Sequence, residues 1–163
     1  MTTFAPDGSR LVFSSDRSGR FDLWSQPRAG GRPAAEPLRL TEQPGSESVP
    51  AFSPDGRWIA YGRVLEGQRD IWVVSSAGGP PKRFTDHSAI DVQPAWSPDG
   101  TRIVFVSSRD GGHHLWVSQV GDGSRVGEPA QVTFGGWTDR LAAWSPDGSS
   151  LAFLRDIGPD TDV

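Results

Sequence analysis

Residues 50–85 read PAFSPDGRWIAYGRVLEGQRDIWVVSSAGGPPKRFT and contain one complete copy of a unit that recurs along the chain. The unit is marked by the tetrapeptide Ser-Pro-Asp-Gly at residues 53–56. The same tetrapeptide returns at residues 97–100 and 145–148, and Ala-Pro-Asp-Gly stands at residues 5–8. The unit therefore returns after roughly 45 residues each time, and a regular return of this length predicts a repeat architecture.

Other positions of the unit keep a constant distance from the proline. An aromatic residue lies two positions before it, and a triplet typical of a β-strand lies shortly after it. Each complete unit also has a tryptophan at a fixed distance after its proline and a threonine at a fixed distance before the next proline. Only the interval from that tryptophan to that threonine varies, and it is shorter in the second unit than in the first and third. This predicts fixed strands with one surface loop that absorbs every change in length. The residues concerned are Trp24, Trp72 and Trp116, with Thr41, Thr85 and Thr133.

The local chemistry predicts four strands per unit, A to D, with the tetrapeptide as the A–B turn. Proline presets φ at the first central position of a turn, and glycine tolerates a positive φ at its end. Four short antiparallel strands in each such unit are typical of a β-propeller blade. We therefore interpret the turn residues and the three tryptophans as structural, with each tryptophan in the core between blades. The turn residues are Pro6, Asp7, Gly8, Pro54, Asp55, Gly56, Pro98, Asp99, Gly100, Pro146, Asp147 and Gly148.

The predicted fold is an all-β, single partial propeller domain of about three and a half blades. The blades are expected at about 2–46, 47–90 and 91–138, with a half blade at 139–163. Asp162 and Val163 match Asp70 and Ile71 in register, so we expect strand C of the fourth blade to continue with an aromatic residue. Since propellers close with about 4 to 8 blades, we expect a piece of a larger propeller of about six to eight. Its open edges predict self-association.

The composition excludes several classes of function. The 163 residues carry a net charge of −4 with no basic patch, so we expect no nucleic-acid partner. The absence of cysteine excludes disulfides, cysteine-ligated zinc and a thiol nucleophile. No apolar run approaches the roughly 18 residues of a membrane span, so we expect a soluble domain without membrane insertion. The composition indicates no compartment.

No pattern of catalytic or metal-binding residues stands out. His113 and His114 are adjacent, so on a strand they point to opposite faces and do not form a metal pair. His87 has acidic neighbours, but no Gly-x-Ser-x-Gly nucleophile motif occurs in the chain. No Asp-x-Asp-x-Asp-Gly calcium loop is present either. We therefore expect no catalytic residue, no metal and no cofactor.

The four units resemble the WD-repeat-like β-propeller repeats of TolB-type proteins, from Phe4 to the end of the chain. The first unit departs from the pattern at Ala5, and the third has His114 where the others have aspartate. The resemblance implies a bacterial protein-interaction platform in the periplasm. Similar repeats form the propeller ahead of the catalytic domain in prolyl-oligopeptidase-like serine peptidases. Others accompany kinase or DNA-binding modules in bacterial sensors. The shared motif residues are structural, so no catalytic residue carries over.

Propeller function usually resides on the loops at one mouth of the channel. If the Pro-Asp-Gly turns occupy one face, the B–C and D–A loops occupy the other, which we call the loop face. Trp137 is a tryptophan outside the repeat positions, and beside Arg140 it would suit a binding hot spot or cover the blade core. The sequence predicts on this face Arg17, Arg20, Glu47, Arg69, His87, Asp91, Arg109, His113, Trp137, Asp139 and Arg140.

The leading functional hypothesis is a non-catalytic scaffold that binds a protein or peptide through the loop face. The first alternative is the substrate-gating propeller of a prolyl-oligopeptidase-like serine peptidase. The second is the sensor propeller of a bacterial kinase or transcription regulator. The sequence on either side of this segment separates the three, since a peptidase domain would add a Gly-x-Ser-x-Gly motif with Asp and His after it.

Overall fold

The computed structural model describes residues 1–157, which form fifteen β-strands in four antiparallel sheets and no helix. Within this range, therefore, no helix is long and apolar enough to cross a membrane. The strands are β1 (Thr2–Phe4), β2 (Arg10–Ser15), β3 (Asp22–Ala29), β4 (Arg32–Pro33), β5 (Leu38–Arg39), β6 (Ser46–Phe52), β7 (Trp58–Leu65), β8 (Gln68–Ser75), β9 (Lys82–Arg83), β10 (Asp91–Trp96), β11 (Arg102–Ser107), β12 (His114–Gly121), β13 (Ser124–Gln131), β14 (Thr138–Trp144) and β15 (Leu151–Asp156).

Each sheet is one blade, and neighbouring strands follow chain order except in blade 1, where both β4 and β5 pair with β3. Blade 1 is β1 to β5, blade 2 is β6 to β9, blade 3 is β10 to β13, and blade 4 has β14 and β15. The innermost strands β1, β6, β10 and β14 contact one another in succession, as expected around a common axis. The predicted all-β partial propeller is confirmed. The predicted C-strand positions Asp162 and Val163 lie outside the described residues.

The tetrapeptide forms the predicted tight turn in every blade. Gly100 has φ of 71°, and its N–H donates to the Ser97 carbonyl at 2.9 Å. The Asp99 carboxylate accepts the Thr101 N–H at 3.0 Å and the Ser97 hydroxyl at 2.6 Å. These hydrogen bonds lower the pKa of Asp99 to about 2, with the Ser97 hydroxyl as the main cause. Each acidic residue of the motif thus holds its own turn closed.

The segment of variable length is a β-hairpin in blades 1 and 3, where the sequence predicted a loop. In blade 3 the long strands β12 and β13 are joined by Asp122 and Gly123, with φ of 48° and 69°. In blade 1, β4 pairs with the end of β3 through Gly30 and Gly31, with φ of 56° and 76°. Two consecutive positive φ values are typical of the turns that join two strands directly. The additional residues of these two blades therefore extend the outer edge of the sheet.

Consecutive blades pack face to face, and we call each such contact a seam. The front face of a blade meets the next blade along the chain, and the back face meets the preceding one. Small or β-branched side chains occupy the front faces together with leucine, such as Val12 and Leu23 on blade 1. Larger side chains, including Tyr61 and Trp72 on blade 2, cover them from the back. The same arrangement joins blades 2 and 3 and blades 3 and 4.

The predicted inter-blade position of the repeat tryptophans holds for Trp72 and Trp116, which pack against these clusters. It does not hold for Trp24, because no described blade lies behind blade 1. Instead, the Arg17 guanidinium covers Trp24, 4.9 Å from the ring centre. A second row of tryptophans ties the inner strands together, because the Trp96 and Trp144 indoles donate to the carbonyls of Ala51 and Ala95 at 3.1 and 3.2 Å.

Candidate functional site

The loop face is built where the B–C turn of one blade meets the first strand of the next. Glu47 donates its N–H to the Phe21 carbonyl at 2.8 Å, and Asp139 donates to the His113 carbonyl at 2.7 Å. His113 also forms a β-bridge with Thr138, which places it next to Trp137 in the adjoining loop. These backbone bonds fix the loops to the sheets. The loop face is therefore a defined surface within the described part of the chain.

A groove of about 430 Å³ opens on this face between blades 1 and 2 and reaches the inner strand of blade 3. Its walls include Phe21, Val49, Val64 and Val92, with Arg69 among the polar residues. Phe21 is 48% exposed, although it lies in a turn where a polar residue is usual. Val49 has φ of 51° in a β-bulge of β6. Bulges are common beside functional sites because they redirect side chains.

Three acidic residues predicted on the exposed loop face are in fact fully buried. Glu47, Asp91 and Asp139 occupy the same repeat position, seven residues before the proline, and each is 0% exposed. The Arg109 guanidinium binds both oxygens of Asp91 at 3.0 and 3.1 Å. Arg155 binds both oxygens of Asp139 at 2.7 and 3.0 Å. These carboxylates lock the start of an inner strand, so they are unavailable to a partner.

Glu47 differs from its two equivalents because no arginine in residues 1–157 forms an ion pair with it. Its carboxyl group accepts the Thr41 hydroxyl and, at 3.2 Å, the Leu23 N–H. Arg63, which occupies the repeat position of Arg155, donates instead to the Pro44 carbonyl and stacks 4.5 Å from the Trp72 ring centre. Burial raises the pKa of Glu47 above its usual value. The glutamate is therefore a structural residue between blades 1 and 2.

His114 is also structural. It is 2% exposed and lies between Asp110 and Asp139, with nitrogen–oxygen distances of 3.6 and 3.5 Å. At the same repeat position Asp22 and Asp70 are buried and pair with Arg39 and Arg83, each at 2.7 Å. The substitution in blade 3 thus exchanges one buried polar arrangement for another. Within residues 1–157 no group of three His, Asp or Glu side chains could hold a metal ion.

The remaining predicted residues include Arg69, His87, Arg109, Trp137 and Arg140, and they do not lie in one place. Arg69 lines the groove, whereas His87 and Arg109 line a separate cavity of only about 40 Å³, which is water-sized. Trp137 is 43% exposed, so its ring reaches the surface. Arg140 is exposed too, and its guanidinium pairs with Asp156 at 2.7 Å. Sequence reasoning missed the groove itself, although the apolar Phe21 in the B–C turn of blade 1 could have indicated it.

Comparison of the sequence with known proteins identifies one family. The sequence profile of the TolB beta propeller domain matches residues 35–161. The Tol-Pal system protein TolB of Anaeromyxobacter dehalogenans is 40% identical over 89 residues, which are 53% of this chain and 19% of that protein. The chain spans between 19% and 27% of the length of the curated relatives it matches.

Solved structures agree on the fold. A putative TolB from Agrobacterium tumefaciens superimposes with a TM-score of 0.81 and 27% identity, over 99% of this chain and 55% of that one. A puromycin-hydrolyzing peptidase of Mycobacterium tuberculosis superimposes with a TM-score of 0.70 and 22% identity, over 96% of this chain and 26% of that one, and at this identity it shows the fold alone. The profile match, the relatives and the blade geometry together place the chain in the TolB β-propeller domain family.

Proposed function

We propose that the chain is a non-catalytic scaffold that binds a peptide segment of a protein partner at the loop-face groove. The observation that supports this most directly is the groove itself. It is large enough for a few side chains, its walls are largely apolar, and it lies where the loops of two blades meet an inner strand. The relatives named TolB belong to a Tol-Pal system. On the family resemblance, we propose that the partner is a periplasmic protein.

The lining suggests which chemistry the groove prefers. Phe21, Val64 and Val92 offer apolar contact, and exposed apolar surface rimmed by polar groups is typical of a protein-interaction site. Arg69 is exposed and makes no ion pair with any other residue in the range 1–157. An unpaired guanidinium at the rim favours a carboxylate. The expected ligand is therefore an extended peptide with apolar side chains and one acidic residue.

Trp137 supplies a second candidate contact on the same face. Its exposed ring and the adjacent His113 form a patch on the loops of blades 3 and 4. Tryptophan is enriched among the residues that dominate binding energy. A folded partner would reach both the groove and this patch, whereas a short peptide would occupy the groove alone.

The test starts with a random peptide display library selected on the immobilised chain, followed by fluorescence polarisation with the selected peptides. We expect Phe21→Ala and Arg69→Ala each to weaken binding about tenfold or more, and Trp137→Ala to weaken binding of a larger partner without unfolding the chain. Val126→Ala is the matched control, because Val126 is 53% exposed on the outer strand of blade 3. Selected peptides that bind the Phe21 and Arg69 variants as well as the original would refute the groove assignment.

A second candidate is the propeller of a serine peptidase, which is suggested by the resemblance of the repeats to those ahead of the catalytic domain in prolyl-oligopeptidase-like peptidases. In that case the same face would admit substrate to a neighbouring catalytic domain. The sequence that adjoins this segment distinguishes the two functions. A downstream Gly-x-Ser-x-Gly followed by Asp and His would support the peptidase, and further Ser-Pro-Asp-Gly units alone would support the scaffold.

A further inference from the structure

One position of the repeat carries a different exposed side chain in each of blades 1, 2 and 3. Phe21, Arg69 and His113 occupy this position, and each directly precedes a buried polar residue of strand C. Blade 2 packs against a described blade on both faces, yet Arg69 is exposed, so the exposure of this position does not depend on an uncovered seam. An aromatic ring, a guanidinium and an imidazole thus stand at equivalent points of the loop face.

The backbone at these points is anchored to the next blade. The carbonyls of Phe21 and His113 each accept an N–H from the first strand of the following blade, at 2.8 and 2.7 Å. Beside Arg69, the Gln68 side-chain amide donates to two carbonyls of the loop that leads into blade 3, at 3.0 and 2.8 Å. The distance between neighbouring points is therefore set by the packing of the blades.

Two of the three points open into the same groove. Phe21 and Arg69 both line the cavity of about 430 Å³, and Val64, which pairs with Arg69 across β7 and β8, lines it as well. Arg69 forms no ion pair within residues 1–157. An arginine in this state favours an anionic group. A single ligand in the groove can therefore contact the Phe21 ring and bind the Arg69 guanidinium at once.

The packing of the blades also determines how far apart these two contacts lie along a ligand. Packed sheets lie about 10 Å apart, and an extended chain rises about 3.3 Å per residue. One step from blade to blade therefore corresponds to about three residues of an extended peptide, and the long arginine side chain extends the reach to about four. A peptide that crosses from blade 1 to blade 2 has to carry its two contacting side chains at this spacing.

We propose that the groove selects peptides in which an apolar and an acidic residue are about three to four positions apart, with the apolar side chain on Phe21 and the carboxylate on Arg69. This inference rests on the proposed function, to which it adds the spacing and the order of the two residues. The order matters because the two points differ in chemistry, so a peptide bound in one direction fits in one order only. His113 is the equivalent point that a longer peptide meets on blade 3.

A focused display library tests the spacing. Each displayed peptide contains one leucine and one glutamate in a serine background, at every spacing from one to seven residues and in both orders. After selection on the immobilised chain, we expect spacings of three and four in one order to be enriched about tenfold or more over the others, since the match adds a hydrogen bond between charged groups. The same peptides with glutamine in place of glutamate should lose this enrichment.

Exchanging the two side chains tests the order. Phe21→Arg combined with Arg69→Phe keeps the composition and the net charge, and the repeat itself accommodates both residue types at this position. Both side chains are exposed, so the doubly substituted chain should keep the β-sheet signal in circular dichroism. It should enrich the same spacing in the reverse order. Arg69→Gln is a milder variant, which should abolish the preference for glutamate over glutamine and keep the selection for leucine.

The outcomes separate this inference from the proposed function. Peptides enriched without a preferred spacing, with an optimum outside about three to four residues, or in the same order on both chains would overturn the inference and leave peptide binding in place. If no peptide is enriched on the original chain or on either variant, peptide binding at the groove is wrong, and the inference with it.

Discussion

The Asp139→Asn substitution tests whether the buried acidic residues hold the blades together. Asparagine keeps the shape of the side chain and one acceptor oxygen but removes the charge that Arg155 binds at 2.7 and 3.0 Å. Hydrogen bonds from Arg155 are the main reason that the pKa of Asp139 falls from 3.8 to about 2. Since one pKa unit corresponds to about 1.36 kcal/mol, the ionised carboxylate stabilises the folded chain by about 2 kcal/mol at neutral pH.

The sign of the pH dependence follows from the lowered pKa. A carboxyl group whose pKa is lower in the folded state stabilises fully above its unfolded value, and the effect is lost as the pH falls through the folded value. The difference in unfolding free energy between the original chain and Asp139→Asn should therefore be constant above about pH 5 and shrink towards pH 2. Other lowered carboxyl groups, such as Asp147 at about 2, are common to both proteins and cancel in the difference.

Urea unfolding followed by tryptophan fluorescence at pH 7, 5 and 3 measures this difference. The control is Asp86→Asn, because Asp86 is 67% exposed and its ion pair with Arg125 should contribute about 0.5 kcal/mol or less. If Asp139→Asn costs no more than Asp86→Asn at pH 7, or if the difference is unchanged at pH 3, the carboxylate does not lock the inner strand of blade 4.

Four further substitutions test the blade architecture by the same unfolding assay. Trp72→Ala should cost about 3 kcal/mol or more because the ring fills a seam, whereas Trp24→Ala on the uncovered face should cost less. Equal costs would contradict the seam assignment. Thr133→Val should cost about 1–3 kcal/mol, since the buried Leu115 N–H donates to its hydroxyl at 2.9 Å, and a neutral result would mean that this N–H finds another partner. Gly100→Ala should cost about 1–2 kcal/mol of unfolding free energy because alanine disfavours the φ of 71° at this position. The added Cβ would lie 3.6 Å from Pro54, which is a normal van der Waals distance, so a larger loss would indicate a steric clash.

The repeat made the blades predictable from sequence because each turn is self-contained. Asp99, Gly100 and their equivalents form a turn from neighbours in the chain, so their spacing alone indicates where strands A and B reverse. The seams were predictable because the tryptophans recur at one position of the repeat. Trp72 and Trp116 pack between blades, as this recurrence predicted. A local motif repeated at a fixed distance carries tertiary information that a single copy does not.

The buried acids and the groove could not be predicted in this way because they depend on contacts between elements distant in the chain. Asp91 and Asp139 lie next to loops and are charged, so sequence alone favours exposure, and only the pairing with Arg109 and Arg155 explains their burial. An acidic residue nevertheless recurs seven residues before Pro54, Pro98 and Pro146, and this recurrence could have indicated a structural role. The groove arises where blades 1, 2 and 3 meet, and no single unit encodes it.

The outer hairpins of blades 1 and 3 show that a blade can gain residues at its outer edge without changing how the blades are arranged around the axis. Residues added between Trp116 and Thr133 lengthen β12 and β13 at the periphery, while the inner strands and their tryptophan hydrogen bonds keep the same register. The angular step from one blade to the next is set near the axis, so such insertions leave it unchanged. Sequence drift at the rim can thus alter the outline of the molecule without altering how many blades complete a circle.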